Sequence, residues 1–176
     1  QDSVSAEALL RKDIVDALSN KLEATILGNV AGDATKPAGL FAGVTADTAA
    51  ITFADILKME QTLEEKNVGG NIKFIASPAA KAILRTTAVG GTKSDLRMLM
   101  EGNEIDGIST LVTNGITSKG LILGNFNDLV IGQWGGIDLT VDPYTQAANG
   151  KIRLVVNAYF DAKPQRADSF VKKVLK

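Results

Sequence analysis

The first 27 residues carry the strongest constraint on the fold, because their apolar side chains form one narrow row. Large aliphatic residues recur at every fourth position, at Leu10, Ile14, Leu18, Leu22 and Ile26. This spacing predicts an amphipathic helix from about Ser5 to Leu27, with Ser5 as its N-cap and Gly28 in the left-handed conformation that ends it. A long helix with one narrow apolar face has to lie against another element, so the rest of the chain must supply that surface.

The last third of the chain predicts strands that can supply it. Residues 137–142 alternate between apolar and polar side chains, and residues 151–160 do the same. Asn149-Gly150 lies between these two segments and favours a hairpin turn. Shorter strands are predicted at 121–123 and 129–133, and residues 169–175 form either a strand or a short helix.

The middle of the chain predicts two helices and two more strands. A helix spans about 52–67 and starts with Thr52 and Asp55 in a near capping box. A strand over 71–76 leads to Ser77-Pro78, which opens another helix with Ser77 as its cap. A further strand is predicted from Ile105 to Thr113. Helices followed by a run of strands indicate an α+β fold.

The composition narrows the chemistry that this chain can perform. Its 176 residues contain no cysteine and no histidine, and 19 basic residues face 20 acidic ones, for a net charge of -1. A Ser-His-Asp triad and a conventional zinc site therefore have no residues to form them. The charge balance does not indicate a dedicated nucleic-acid binder. No apolar run approaches the length of a membrane span, and no signal peptide is expected at the N-terminus.

Three segments invite a functional interpretation, and each has a plainer alternative. Residues 90–94 lack the glycine spacing of a phosphate-binding loop, which favours a solvated loop. Residues 132–136 lie between strands rather than before a helix, so a bulged β connection is favoured over a dinucleotide site, with Trp134 as a core or interface anchor. The acidic residues Glu101, Glu104 and Asp106 lack the spacing of an EF-hand and favour a solvated surface. No cofactor or metal is expected.

Several segments together resemble the major capsid proteins of tailed phages, the family that shares the Hong Kong 97-type capsid fold. The similarity is carried by Gly124-Asn125-Phe126, Gly135-Gly136-Ile137-Asp138-Leu139, and the corner Val141-Asp142-Pro143-Tyr144-Thr145. Upstream, Ile26-Leu27-Gly28-Asn29 and Pro37-Ala38-Gly39-Leu40-Phe41 resemble the stretch that follows the family's spine helix. These segments occur in the family's order along essentially the whole chain.

The resemblance implies a spine helix packed on a long β hairpin in a peripheral domain (residues 1–35 and 138–158), and a mixed α/β axial domain (residues 36–137 and 159–176). It implies that copies of the chain form hexamers and pentamers of an icosahedral shell around double-stranded DNA, which they contact without sequence specificity. Portal, scaffold and decoration proteins are further expected partners. The virion is the expected location, with assembly in the host cytoplasm.

The family's N-terminal arm and extended loop are not expected in this sequence, and Ile152 stands about where some members carry a cross-linking asparagine. Assembly contacts are expected at a set of residues spread over the chain: Leu10, Asp13, Arg85, Gly90, Lys93, Asp95, Tyr144 and Arg153. Two alternatives stay open. One is an encapsulin-like shell that encloses a cargo enzyme, and the other is a metal-dependent hydrolase that uses the acidic cluster at 101–106.

Overall fold

A computed structural model of the chain describes residues 3–91, 97–142, 144–150 and 153–176, with side chains described from Leu9 onward. The helices are α1 (Ser3–Ile26), α2 (Phe53–Glu65) and α3 (Pro78–Thr86). The strands are β1 (Ile72–Ala76), β2 (Glu104–Ile105), β3 (Ile108–Val112), β4 (Gly120–Asn125), β5 (Leu129–Asp142), β6 (Arg153–Pro164) and β7 (Phe170–Val174). This mixture confirms the α+β class.

Five of the strands form one mixed sheet in the order β2-β3-β1-β4-β7. Strands β1 and β3 run parallel, and the other pairs are antiparallel. Because side chains alternate along a strand, β1 sends Phe74 to one face and Ile75 to the other, and β4 does the same with Leu123 and Ile122. The sheet is therefore buried on both faces.

Each face of the sheet has its own apolar core. Helices α2 and α3 cover the first face, where Ile56, Met59 and Leu84 pack with Phe74 and Leu123. The second face packs against the C-terminal end of α1 and the segment that follows it, with a core formed by Ile26, Leu27, Leu40, Phe41, Ile75, Ile116, Ile122 and Phe170. Segment 169–175 forms a strand at the edge of this sheet, which decides between the two predicted alternatives.

Helix α2 starts as its sequence predicts. The Thr52 hydroxyl accepts a hydrogen bond from the Asp55 amide, and the Asp55 carboxylate accepts one from the Thr52 amide, so the capping box is complete. Ser77 caps α3 in the predicted way, by accepting from the amide of Ala80 at 3.0 Å. These local signals confirm the expected positions of both helices.

Both predicted ends of α1 are wrong in detail. The helix begins at Ser3, so Ser5 lies inside it and is not its cap. Gly28 does not have a positive φ. A Cβ atom at Gly28 would lie 2.4 Å from the carbonyl oxygen of Ala24, so this glycine permits a close backbone approach at the end of the helix instead.

The predicted strand from Ile105 to Thr113 is two strands. Asp106 and Gly107 both have positive φ, 49° and 79°, and they form the tight turn between β2 and β3. Two residues in the left-handed region are typical of the turns that join antiparallel neighbours. Asp106-Gly107 is itself a hairpin signal, and the prediction failed because it took the apolar residues on both sides of this turn as one strand.

Strands β5 and β6 pair only with each other and form a two-stranded ribbon. The sequence predicts two strands at 129–133 and 137–142, but the structure joins them into one strand of 14 residues. The pairing shifts register between Trp134 and Asp138, where Gly135 has a φ of 72°. The expected bulged connection at 132–136 is therefore confirmed, and so is the hairpin, in which Gly150 has a φ of 63°.

Candidate assembly surfaces

The ribbon exposes much of its apolar surface. One face carries the odd-numbered residues of β5 and the even-numbered residues of β6, since Leu139 pairs with Val156 and Val141 pairs with Leu154. On β5 this row stays open, with Leu139 51% and Val141 56% exposed. Contiguous exposed apolar surface of this kind marks an interaction site more often than a free surface.

Helix α1 lies along the β6 side of this same face. Leu18, Leu22 and Ile26 of the helix line one small cavity of about 140 Å³ together with Phe160 and Ala162 of β6. Because a single helix is narrow, it covers β6 and leaves the β5 row open. The apolar row that opens the chain is thus covered mainly in its C-terminal half.

The N-terminal half of α1 keeps large apolar side chains in solvent. Leu9 is 62% exposed, Leu10 is 45% exposed and Val15 is 58% exposed. No helix or strand among the described residues buries these three side chains. These residues form a second apolar surface beside the open β5 row. Both surfaces belong to the part of the molecule made of α1 and the ribbon, which we call the arm.

The junction between this arm and the five-stranded sheet is tightly built. The amide of Leu40 donates to the carbonyl of Ile26 at 2.7 Å, and the amide of Phe41 donates to that of Gly28 at 2.9 Å. The Thr113 hydroxyl donates to the Glu23 carboxylate, and the amide of Gly115 donates to Thr113 Oγ1 at 3.0 Å. These bonds fix the end of α1 relative to the sheet.

The tip of the ribbon is held by one carboxylate. Asp142 Oδ1 accepts from the amides of Tyr144 and Thr145, at 2.9 and 3.1 Å, and the Thr145 hydroxyl donates to Oδ2. These hydrogen bonds, with a smaller effect of the nearby Arg153, lower the pKa of Asp142 below its ordinary value. Tyr144, 85% exposed, projects from this ordered corner.

The residues expected at assembly contacts lie in three separate places. Leu10 and Asp13 are exposed on α1, Arg85 and Gly90 are exposed near the end of α3, and Tyr144 and Arg153 are at the ribbon tip. Lys93 and Asp95 lie outside the described residues. The structure does not bring the three groups together within one copy, and their role in contacts between copies stays a prediction.

Sequence reasoning missed several exposed apolar residues of the ribbon strands. Tyr159 is 67% exposed and Ile137 is 54% exposed, and neither was predicted as a contact residue. Trp134 is 60% exposed, which excludes the core role, and its interface role stays a prediction. The signal was present in the alternation of β5 and β6, but alternation alone does not show which faces stay uncovered.

The three acidic residues of segment 101–106 line one small cavity of about 100 Å³. Glu101 and Glu104 form an isolated antiparallel bridge through their backbones, and Glu101 Oε1 accepts from the amide of Met98 at 3.3 Å. Across the described ranges, no group of three or more acidic side chains could hold a metal ion. The hydrolase alternative therefore has no site to support it in this part of the chain.

Two charged groups of the sheet region have unusual surroundings. Burial, with the nearby carboxylates of Asp106 and Glu64, raises the pKa of Glu60, whose Oε1 atom is buried without a hydrogen-bond partner among the described residues. Lys173 Nζ lies 2.8 Å from Asp47 and 3.4 Å from Asp55 and ties β7 to α2. Neither arrangement resembles a catalytic pair. No described helix is both long and apolar enough to cross a bilayer.

Comparison with known proteins gives a consistent result. A protein-family model described as the phage capsid family matches residues 1–175. A curated relative, the major capsid protein of Halomonas phage phiHAP-1, is 25% identical over 175 residues, a match that covers 97% of this chain and 29% of that protein. The chain thus spans less than a third of the length of this relative.

Solved structures share the fold at low sequence identity. The capsid of an empty GTA particle matches with 18% identity and a TM-score of 0.64, over 97% of this chain and 65% of that chain. A Gordonia phage Cozz chain matches with 18% identity and a TM-score of 0.60, over 99% and 65%. The SrpI encapsulin of Synechococcus elongatus PCC 7942 matches with 13% identity and a TM-score of 0.60, over 100% and 66%. The Hong Kong 97-type fold is confirmed.

Proposed function

Because this chain belongs to the phage capsid family, we propose that it is part of a major capsid protein whose copies assemble into the hexamers and pentamers of an icosahedral phage head that encloses double-stranded DNA. The observation that carries this proposal is the match to a major capsid protein along 97% of the chain. The role is structural and involves no catalytic residue.

The exposed arm supports this function. A shell of many copies needs surfaces that are poorly covered in one copy and become covered by the next. The open β5 row and the N-terminal half of α1 have this character, since residues such as Leu9 and Val141 are more than half exposed. We place the shell contacts on this arm, with Leu10, Asp13, Tyr144 and Arg153 among them, and further contacts at Arg85, Gly90, Lys93 and Asp95.

The proposed division into two domains follows the architecture. A peripheral domain of residues 1–35 and 138–158 contains α1 and the outer part of the ribbon, and an axial domain of residues 36–137 and 159–176 contains the five-stranded sheet. The proposed boundary at 137/138 falls at the register shift between Trp134 and Asp138. A bulge bends and twists a strand, which suits a joint between two domains.

The near-neutral net charge supports weak binding to the packaged DNA. A net charge of -1 provides no basic surplus that would bind phosphates tightly. We therefore propose non-specific contact with the DNA, location in the virion and assembly in the host cytoplasm. Portal, scaffold and decoration proteins are proposed partners. The solved phage G major capsid proteins are recorded together with decoration proteins.

An encapsulin-like compartment is the second candidate function, favoured by the TM-score of 0.60 to an encapsulin. Electron microscopy of the full-length protein, expressed alone and purified, tests the shell function shared by both. We expect closed shells or rings of capsomers, and dispersed monomers at micromolar concentration would contradict the proposal. Analysis of particles from the native source separates the two, because nuclease-protected DNA indicates a phage head and an enclosed enzyme indicates an encapsulin.

A further inference from the structure

An aromatic and acidic cleft lies at the base of the ribbon. It has a volume of about 620 Å³ and lies between the loop 32–38 and β6. Trp134 and Tyr159 are direct cross-strand partners on its wall. Both rings are more than half exposed, and neither is used by the core or by the contact between α1 and β6.

The indole ring of Trp134 lies over its own strand. A Cβ atom on Gly132 would be 3.0 Å from the outer edge of this ring, so the ring occupies the space above Gly132. The cross-strand partner of Gly132 is Asp161. The absence of a side chain at position 132 thus places an indole ring beside an aspartate on the same face of the ribbon.

The carboxylate of Asp161 has little local compensation. Its Oδ1 atom accepts from the amide of Ala162 at 2.8 Å, and it forms no ion pair with any residue that the structure describes. Lys163 is exposed on the same face but is not paired with it. Across the cleft, Asp33 accepts two hydrogen bonds from Thr35 and lies near Lys36. These hydrogen bonds, with a smaller effect of the Lys36 charge, lower the pKa of Asp33 below its ordinary value.

An aromatic face beside a carboxylate is suited to a guanidinium group. Arginine stacks its planar group on indole and phenol rings and presents paired N–H donors to a carboxylate. A lysine ammonium lacks the flat surface for stacking. We propose that the cleft formed by Trp134, Tyr159 and Asp161 binds an arginine side chain of a second copy of this chain.

The second copy is chosen as the partner because the chain carries suitable donors; this step rests on the proposed shell function. Arg85 and Arg153 are exposed, and no hydrogen bond or salt bridge of either guanidinium is found within the described ranges, although Arg153 lies opposite Asp142 and helps to lower its pKa. Arg85 lies near the end of α3 and Arg153 at the ribbon tip, and neither lines the cleft. A contact between two different surfaces of identical copies generates a ring when the rotation between copies closes, as capsomers require.

Charge reversal in the full-length protein tests the proposal. We expect Asp161→Arg to lower the yield of capsomers at least about tenfold, because it repels the incoming arginine. Asp168→Arg is the control, since Asp168 is an exposed aspartate outside the ribbon and outside the cleft lining. Thermal unfolding of both variants should match the wild type, because both positions are exposed.

A second charge reversal that restores assembly identifies which arginine binds in the cleft. Combining Asp161→Arg with Arg153→Asp, or with Arg85→Asp, should restore capsomers in one of the two pairs. Wild-type yield from Asp161→Arg, an equal loss from Asp168→Arg, or a loss that neither reversal restores would overturn the proposal.

A direct binding measurement keeps arginine binding testable even if the full-length protein forms no capsomers. That result would contradict the proposed shell function but not arginine binding. Trp134 is the only tryptophan of the 176 residues, so its fluorescence reports on the cleft. We expect N-acetylarginine amide to change this fluorescence saturably, and its neutral isostere N-acetylcitrulline amide to have no such effect. Asp161→Asn should weaken the arginine response about fivefold. Equal responses to both compounds, or no saturable response, would refute arginine binding.

Discussion

The five-stranded sheet and the ribbon are made of similar side chains, but they bury them to very different extents. In the sheet, Phe74 and Leu123 are fully buried between two layers of packed elements. In the ribbon, Leu139 and Trp134 remain more than half exposed, because α1 covers part of one face and the described elements leave the other face largely open. The apolar surface of the sheet is buried within one copy, and much of the apolar surface of the ribbon is not.

This difference shows where a single chain obtains its stability and where it needs a partner. A two-stranded ribbon is marginally stable by itself in water. Here it is anchored at its base by the sheet and along one side by α1. We interpret the rest of its apolar surface as interface, which the following substitutions test by comparing the two regions.

The largest expected difference comes from the same substitution in two strands. Leu123→Ala empties a fully buried site and should lower the free energy of unfolding by roughly 2–5 kcal/mol. Leu139→Ala removes a side chain that is 51% exposed and should cost less than about 1 kcal/mol in the isolated chain. Urea denaturation measures both values. Equal losses would show that the ribbon is part of the core of a single copy.

A second substitution tests the joint between the regions. Gly39→Ala would place a Cβ atom 2.2 Å from the carbonyl oxygen of Gly28, so the backbone at the end of α1 has to shift. We expect a loss of about 1–3 kcal/mol in the same denaturation experiment. Gly69→Ala is the control, because a Cβ atom there meets nothing within 4 Å and φ is not positive. The control should be neutral or slightly stabilising.

The pH dependence should have opposite signs in the two regions, and Glu60 represents the sheet region. Because its pKa is raised in the folded state, Glu60 costs no stability below its ordinary pKa of about 4.3 and costs most above the raised value. Glu60→Gln should therefore stabilise the chain at neutral pH, and this gain should vanish as the pH falls through that window. Thermal unfolding as a function of pH measures it. Glu65→Gln on the same helix should show no such gain.

Asp142 represents the ribbon and should give the smallest effect. Its lowered pKa means that it stabilises the tip above the ordinary aspartate pKa of about 3.9, and that this contribution is lost as the pH falls through the lowered value. The protection of the Thr145 amide, measured as its exchange rate relative to the intrinsic rate at the same pH, should fall at low pH in the wild type. Asp142→Asn should remove this pH dependence, and Asp138→Asn should retain it.

Local signals predicted the starts of two helices and the hairpin turn well. The capping box at Thr52, the Ser77-Pro78 start of α3 and the Asn149-Gly150 turn each depend on contacts between near neighbours in sequence, and all three are confirmed. The resemblance to capsid proteins also predicted the fold correctly. Short-range chemistry and segment order were sufficient for these features.

Features that depend on tertiary contacts were not predictable in the same way. The backbone at Gly28 is fixed by the close approach of Gly39, and the continuity of β5 through its bulge is set by pairing with β6. The exposure of Trp134 and Tyr159 follows from how little of the ribbon α1 covers. A periodic pattern shows that a face is apolar, but only the packing shows whether the same copy buries it.

Hydrogen exchange of the ribbon amides, compared between the isolated chain and assembled particles of the full-length protein, tests the central claim most directly. We predict that the amides of β1 and β4 are protected in both states, and that those of β5 and β6 between the bulge and the tip gain protection only on assembly. Ribbon exchange that stays the same in particles and in the isolated chain would contradict the account.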